Sequence, residues 1–107
     1  MNKTWTINSE DFIGITEQNL NNEKNNYWKR GKSHTINTTK IIKYKKFNIY
    51  IGYDSCIIEE PNKKIKAFNV YESTFYDVIN NMLIGFGRDT IEYYNLDTEE
   101  LTIKHIR

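Results

Sequence analysis

Apolar and polar positions alternate with a period near two over most of the chain from Ile36 onward. In FNIYIGY, Phe47, Ile49, Ile51 and Tyr53 would share one face of a strand, because successive strand side chains point to opposite sides. A second β-rich run, INTTKIIKY, precedes it, and Lys45-Lys46 between the two reads as a hairpin turn. YDS breaks the pattern and CIIEE follows as a short strand. PNKK, Pro61 to Lys64, then reads as a turn, with Pro61 presetting φ and Asn62 tolerating the bend. IKAFNVY alternates loosely through Ile65, Ala67 and Phe68. The last third is the clearest: STFYDVI, MLIGFG, TIEYYNL and LTIKHI are separated by the turns Asn80-Asn81, Arg88-Asp89 and DTEE.

Strand starts recur roughly every eight to ten residues, the spacing of an antiparallel meander and not of βαβ units. β-Branched and aromatic residues dominate, and turn residues interrupt before three helical turns could form. The pattern predicts a mainly β chain with seven to nine strands in a curved sheet, half-barrel or small sandwich. The start, TWTINSEDFIGI, predicts a strand from Thr4 to Ile7 and a short helical turn at Ser9, Glu10 and Asp11 that carries Phe12 and Ile13. Residues 16–34 are polar and Asn-rich and read as a long loop. One domain over 1–107 is expected, with the meander over 36–106. A single sheet cannot bury both of its faces. The expectation is therefore one curved sheet whose other face is covered by the N-terminal segment.

Composition supports a packed core. Fifteen residues are aromatic, eight of them tyrosine. Frequent Asn, Ile and Lys read as the codon bias of an AT-rich gene. Cys56 is the one cysteine, so no internal disulfide framework exists. The first residues lack the apolar run of a signal peptide, and no stretch approaches the length of a membrane span. A cytoplasmic protein, monomeric when free and away from membranes, is the expectation.

The net charge of +1 conceals a segregation. Eight cations and no acid lie between Lys24 and Lys46, whereas ten acids face four bases between Asp54 and Glu100. The acids include Asp54, Glu59, Glu60, Glu72, Asp77, Asp89 and Glu92. They could meet a basic protein partner and speed the encounter, with Tyr71, Tyr76, Tyr93 and Tyr94 as anchors. Alternatively, Lys29, Arg30, Lys32, Lys43, Lys45 and Lys46, interleaved with Tyr27, Trp28, Tyr44 and Phe47, could hold phosphates and stack bases. The bland reading is a mixed solvated surface in which the two signs interleave after folding.

Candidate chemistry is sparse. His34 and His105 are far apart in sequence and, with one cysteine, do not form a metal-ligand spacing. Cys56 lies among apolar strand residues, where a buried inert thiol is expected. No nucleophile elbow, P-loop or dinucleotide fingerprint occurs. Glu59-Glu60 and Glu99-Glu100 are adjacent and would point to opposite faces of a strand. A small nuclease using His34, Lys32 and His105 requires the fold to bring them together. No cofactor, metal or enzymatic activity is expected.

The hairpin DTIEYYNLDTEEL looks like one β-propeller blade unit, but no second copy appears upstream. In general character the chain resembles the immunity proteins of polymorphic, contact-dependent growth-inhibition toxin systems. The shared features are one short domain from an AT-rich gene, many acids and tyrosines, and a β-meander near the C-terminus. The resemblance implies a non-catalytic protein that neutralises a cognate toxin domain, a nuclease by expectation, by occluding its active or substrate-binding site. The other reading is a nucleic-acid-binding or phage-type inhibitor protein that uses Lys24 to Lys46.

Overall fold

The structure, a computed structural model, describes residues 2–13, 33–53, 55–69, 75–87 and 89–106. Nine strands lie among them. A five-stranded antiparallel sheet contains β1 (Lys3–Asn8), β2 (Ser33–Tyr44), β3 (Phe47–Gly52), β4 (Ser55–Glu59) and β5 (Ile65–Asn69), in that order. A four-stranded antiparallel sheet contains β6 (Phe75–Ile79), β7 (Met82–Phe86), β8 (Thr90–Asn95) and β9 (Leu101–His105). The expected meander is present, but it forms two sheets instead of one. A single layer would have left the apolar residues on both of its faces in water.

The first sheet curls. After β1 comes a single 3₁₀ turn, Ser9–Asp11, and the Asp11 carboxylate accepts the Asn8 N–H at 3.3 Å in the manner of a capping box. Phe12 then bridges Ala67 of β5 in parallel, and Ile13 N–H donates to the Ala67 carbonyl at 3.0 Å. The sheet's two edges thus approach each other, giving a half-barrel. Its interior holds Ile7, Phe12, Ile36, Ile57 and Ala67, with Trp5, Tyr50 and Ile65 packed around them. The N-terminal segment covers this inner face, as expected, but of the first sheet only.

A bulge in β2 makes the curl possible. Thr38 pairs with Gly52 and Lys40 with Ile51, so Thr39 is an extra residue on β2. The alternation therefore changes phase. Ile36 and Ile41, five residues apart, have register partners Trp5 and Tyr50, which themselves pack edge-to-face at 4.9 Å. Thr38 is buried at the same place, where it accepts Trp5 Nε1–H at 3.1 Å and donates to the Lys3 carbonyl at 3.2 Å, so its polar group is satisfied. Gly52 is required there by close approach: a Cβ at this position would sit 2.3 Å from the Asn37 carbonyl oxygen.

The half-barrel's outer face packs against the second sheet. Ile49, Ile51, Cys56, Ile58 and Phe68 from the first sheet meet Tyr76, Leu83, Tyr94 and Leu96 from the second. Phe68 sits at the joint, with ring centroids 6.1 Å from Tyr76 and 5.3 Å from Tyr94.

Three local expectations change. β2 begins at Ser33, before the expected start at Ile36, because it pairs with β1 to its end; residues 16–32 of the expected loop lie outside the described residues. Tyr53 does not share the face of Ile49 and Ile51: it lies past the end of β3 and is 85% exposed. In the Pro61 turn it is Lys63, with φ of 69°, that takes the left-handed backbone, while Asn62 Oδ1 accepts the Lys64 N–H at 3.0 Å.

Two substitutions test this packing. Phe68→Ala should destabilise the fold by about 3–5 kcal/mol, read as a lower urea midpoint. Gly52→Ala should cost about 1–3 kcal/mol, since the atom it meets is backbone. A wild-type midpoint in Phe68→Ala would remove that ring from the joint between the sheets.

Candidate functional site

The hairpin turns after β2, β4, β6 and β8 gather at one end of the molecule. Their left-handed residues are Lys45, Lys63, Asn80 and Glu99. The turn after β8 is organised by Asn95, whose Oδ1 accepts the N–H groups of Asp97 at 2.9 Å and Thr98 at 3.0 Å. Leu96 is buried beneath it, and Asp97 and Glu99 project toward the first sheet. A shallow cleft of about 460 Å³ results, lined by Lys45, Lys46, Phe47, Glu60, Leu96, Asp97 and Glu99.

Opposite charges close across this cleft. Lys45 Nζ lies 2.8 Å from Asp97 Oδ1, and the Tyr44 hydroxyl donates to the same carboxylate at 3.1 Å. Lys66 Nζ contacts Glu99 and Glu60, the latter at 3.5 Å, and donates to Tyr94 Oη at 3.0 Å. The Lys45 hydrogen bond holds the Asp97 carboxyl below the usual carboxylate range, and Lys66 does the same for Glu99. Burial, the largest single influence on Lys66, opposes its charge. The hydrogen bonds to Glu99 and Tyr94 and the neighbouring Glu60 together outweigh it and hold the ammonium above its ordinary value. Both pairs join a first-sheet cation to a second-sheet acid. The cleft is therefore a clamp between the sheets, and its Lys45–Asp97 pair joins the basic segment of the sequence to the acidic one.

The second sheet's outward face is different. Register places Phe75, Phe86, Ile91 and Lys104 in one row across it, and Asp77, Ile84, Tyr93 and Thr102 in the next. Ile79 and Met82 follow in a third, beside Asn95. Seven of these side chains are apolar or aromatic, and none belongs to either core formed by the described residues. Phe75 and Ile79 are 58% and 51% exposed. Phe75 stacks on Phe86 at 4.7 Å, and the Lys104 ammonium lies 5.7 Å from the Tyr93 ring centroid. Aromatic residues and Met are among the side chains enriched in protein interfaces.

The sequence-predicted acids divide accordingly. Asp77 and Tyr93 share the central row of the outward face, and Asp89 is exposed in the turn between β7 and β8. Glu92, Tyr76 and Tyr94 are buried at 2%, 5% and 4% exposure. Facing inward, they leave the partner-binding set: β8 sends alternate residues to the core. Glu59 accepts from Asn48 Nδ2 at 3.3 Å, and Glu60 belongs to the clamp. Asp54, Tyr71 and Glu72 lie outside the described residues, as do Trp28, Lys29, Arg30 and Lys32. Of the basic set, Lys43, Lys45 and Lys46 are exposed, but Lys45 is paired with Asp97 and Lys46 lies 5.5 Å from the Phe47 ring centroid. The sequence reading missed Asp97, Glu99 and Lys66 as a group. It also missed the outward apolar set, which MLIGF, apolar or Gly at every position, could have shown.

Cys56 is fully buried, and desolvation pushes its thiol far above the ordinary range, which removes thiolate character. His34 pairs with Ile7 in the first sheet and His105 with Thr90 in the second. Among the described residues no group of three or more His, Cys, Asp or Glu side chains is placed to hold a metal ion, and no helix is long and apolar enough to cross a membrane. Comparison with protein-family models, curated proteins and solved structures finds no match to the chain.

The clamp makes a pH prediction. Asp97 and Glu99 have depressed pKa values when folded, so their stabilising effect is complete above the ordinary values of 3.8 and 4.5 and is lost as pH falls through the folded ones. The thermal midpoint should therefore drop on acidification below that range, and less so in the Asp97→Asn/Glu99→Gln double variant. Parallel curves for the two proteins would show that the clamp contributes nothing on the acid side.

Proposed function

We propose that this protein is a non-catalytic binding protein that neutralises a protein partner by covering it, in the manner of the immunity proteins it resembles. One observation carries the reading: the outward face of the second sheet is apolar, aromatic and set apart from both cores. In this reading Phe86, Ile84 and Tyr93 form the centre of the contact, where desolvated anchors contribute most. Asp77 and Asp89 supply negative charge at its margin. They are suited to pair with cations that a nuclease toxin domain uses to hold nucleic acid. Bound there, the sheet would deny substrate access without any chemical step of its own.

The test is affinity capture from the native host with tagged protein, with and without nuclease treatment. A captured protein that survives the nuclease is then expressed alone and together with this chain. The expected outcome is arrest of growth by the captured protein and recovery on co-expression. Ile84→Asp and Tyr93→Ala should each weaken the complex by at least roughly ten-fold while leaving the fold's circular dichroism unchanged. Recovery of RNA or DNA alone, lost at modest salt, would overturn this reading and favour the cations at Lys43 and Lys46.

A further inference from the structure

We propose that the same outward face joins two copies of this chain in a weak, reversible dimer when no other partner covers it. The inference rests on the face itself and not on the identity of the neutralised partner. An apolar patch of this size is comparable with the largest on a typical monomer and is often functional, and two features of the face bear on a second copy as its occupant.

The first is charge. Asp77 lies on edge strand β6 and Lys104 on edge strand β9, one row apart on the same face. Two sheets packed face to face about a two-fold axis have two simple arrangements. With the axis perpendicular to the strands and centred on the face, β6 lies over β6 and Asp77 meets Asp77. With the axis along the strands, β6 of one copy lies over β9 of the other. Asp77 then stands over Thr102 of the second copy and about 7 Å along the strand from its Lys104, within reach of a flexible four-carbon stem across a sheet separation of about 10 Å. The arrangement repeats by symmetry, so both charge pairs form while the Phe86, Ile84, Ile91 and Tyr93 rows interdigitate. The face is thus self-complementary in one orientation and repulsive in the other.

The second feature is size. Four strands about 4.8 Å apart and five residues at about 3.4 Å each give a face of about 300 Å². A standard stable interface covers about 800 Å² on each partner. The face is large enough for a transient pairing and too small for an obligate one, so a larger partner that also reaches the turns around it would displace the second copy.

The experiment is sedimentation velocity on the full chain over a wide concentration series. Wild-type mass should rise reversibly from 12.8 kDa toward twice that value. Ile84→Asp should remain monomeric throughout. Asp77→Lys should weaken the dimer by roughly five-fold, and the Asp77→Lys/Lys104→Asp swap should restore it, a rescue that a folding defect would not show. A wild-type monomer at every concentration overturns the proposal, and if Ile84→Asp still abolishes capture of the partner in that case, the proposed function survives. A dimer that persists in Ile84→Asp overturns the assignment to this face. Absence of rescue by the charge swap overturns the orientation.

Discussion

The structure depends on one strand being buried on both sides. In β4, Cys56 and Ile58 face the second sheet while Ile57, between them, faces the half-barrel interior. Strand geometry leaves no alternative, since neighbours point to opposite faces. Three consecutive apolar residues therefore require two separate layers to cover them. The curl of the first sheet, with Phe12 bridged to β5, supplies one layer and the β6–β9 meander supplies the other. Each core is small, and neither sheet would be stable alone with its apolar face in water. The two sheets are coupled because they share β4 and its neighbours.

The other special features follow from this coupling. A half-barrel must bend sharply, and the Thr39 bulge supplies the bend while keeping Ile36 and Ile41 on the inner side. The close backbone approach at that bend fixes Gly52. At the far end, the four hairpin turns bring cations of one sheet against acids of the other. Lys66 is drawn partly under the cleft, where its hydrogen bonds to Glu99 and Tyr94 and the nearby Glu60 make its charge tolerable. These contacts set how the sheets meet more than they add to stability, since exposed ion pairs contribute little.

Much of this was legible in the sequence, for local reasons. Turn chemistry at Lys45-Lys46, Asn80-Asn81 and DTEE marked the hairpins, and β-branched runs marked the strands. What was not legible is long-range. Nothing in INTTKIIKY announces the extra residue at Thr39, because a bulge shows only against the partner strand. The division into two sheets depends on which strand of a meander stops pairing with the next, and alternation is the same on either side of the break. The charge segregation of the text is bridged at the clamp, where Lys45 and Asp97, 52 residues apart, are in contact. Glu92 looked like a surface acid because polarity alone suggested it, yet the parity of β8 sends it inward with Tyr94. Asp77 and Tyr93 lie on the outward face, where an acid and a tyrosine of opposite parity to the core residues are placed in most sheets.

The outward face is where folding stops being a sufficient explanation of the sequence. β7 reads Met82, Leu83, Ile84, Gly85, Phe86. Leu83 packs in the core, and Gly85 makes room for the Tyr76 ring, 2.6 Å from where a Cβ would be. Met82, Ile84 and Phe86 fill no core among the described residues, and polar β-formers such as Thr would satisfy the backbone equally well there. Keeping apolar side chains at these positions, with Ile91 and Tyr93 beside them on β8, lowers solubility and invites association. The propeller-like hairpin thus stands alone in sequence but is not a structural orphan. Its inner side is completed by the half-barrel, and its outer side retains the residue types that a second surface would complete.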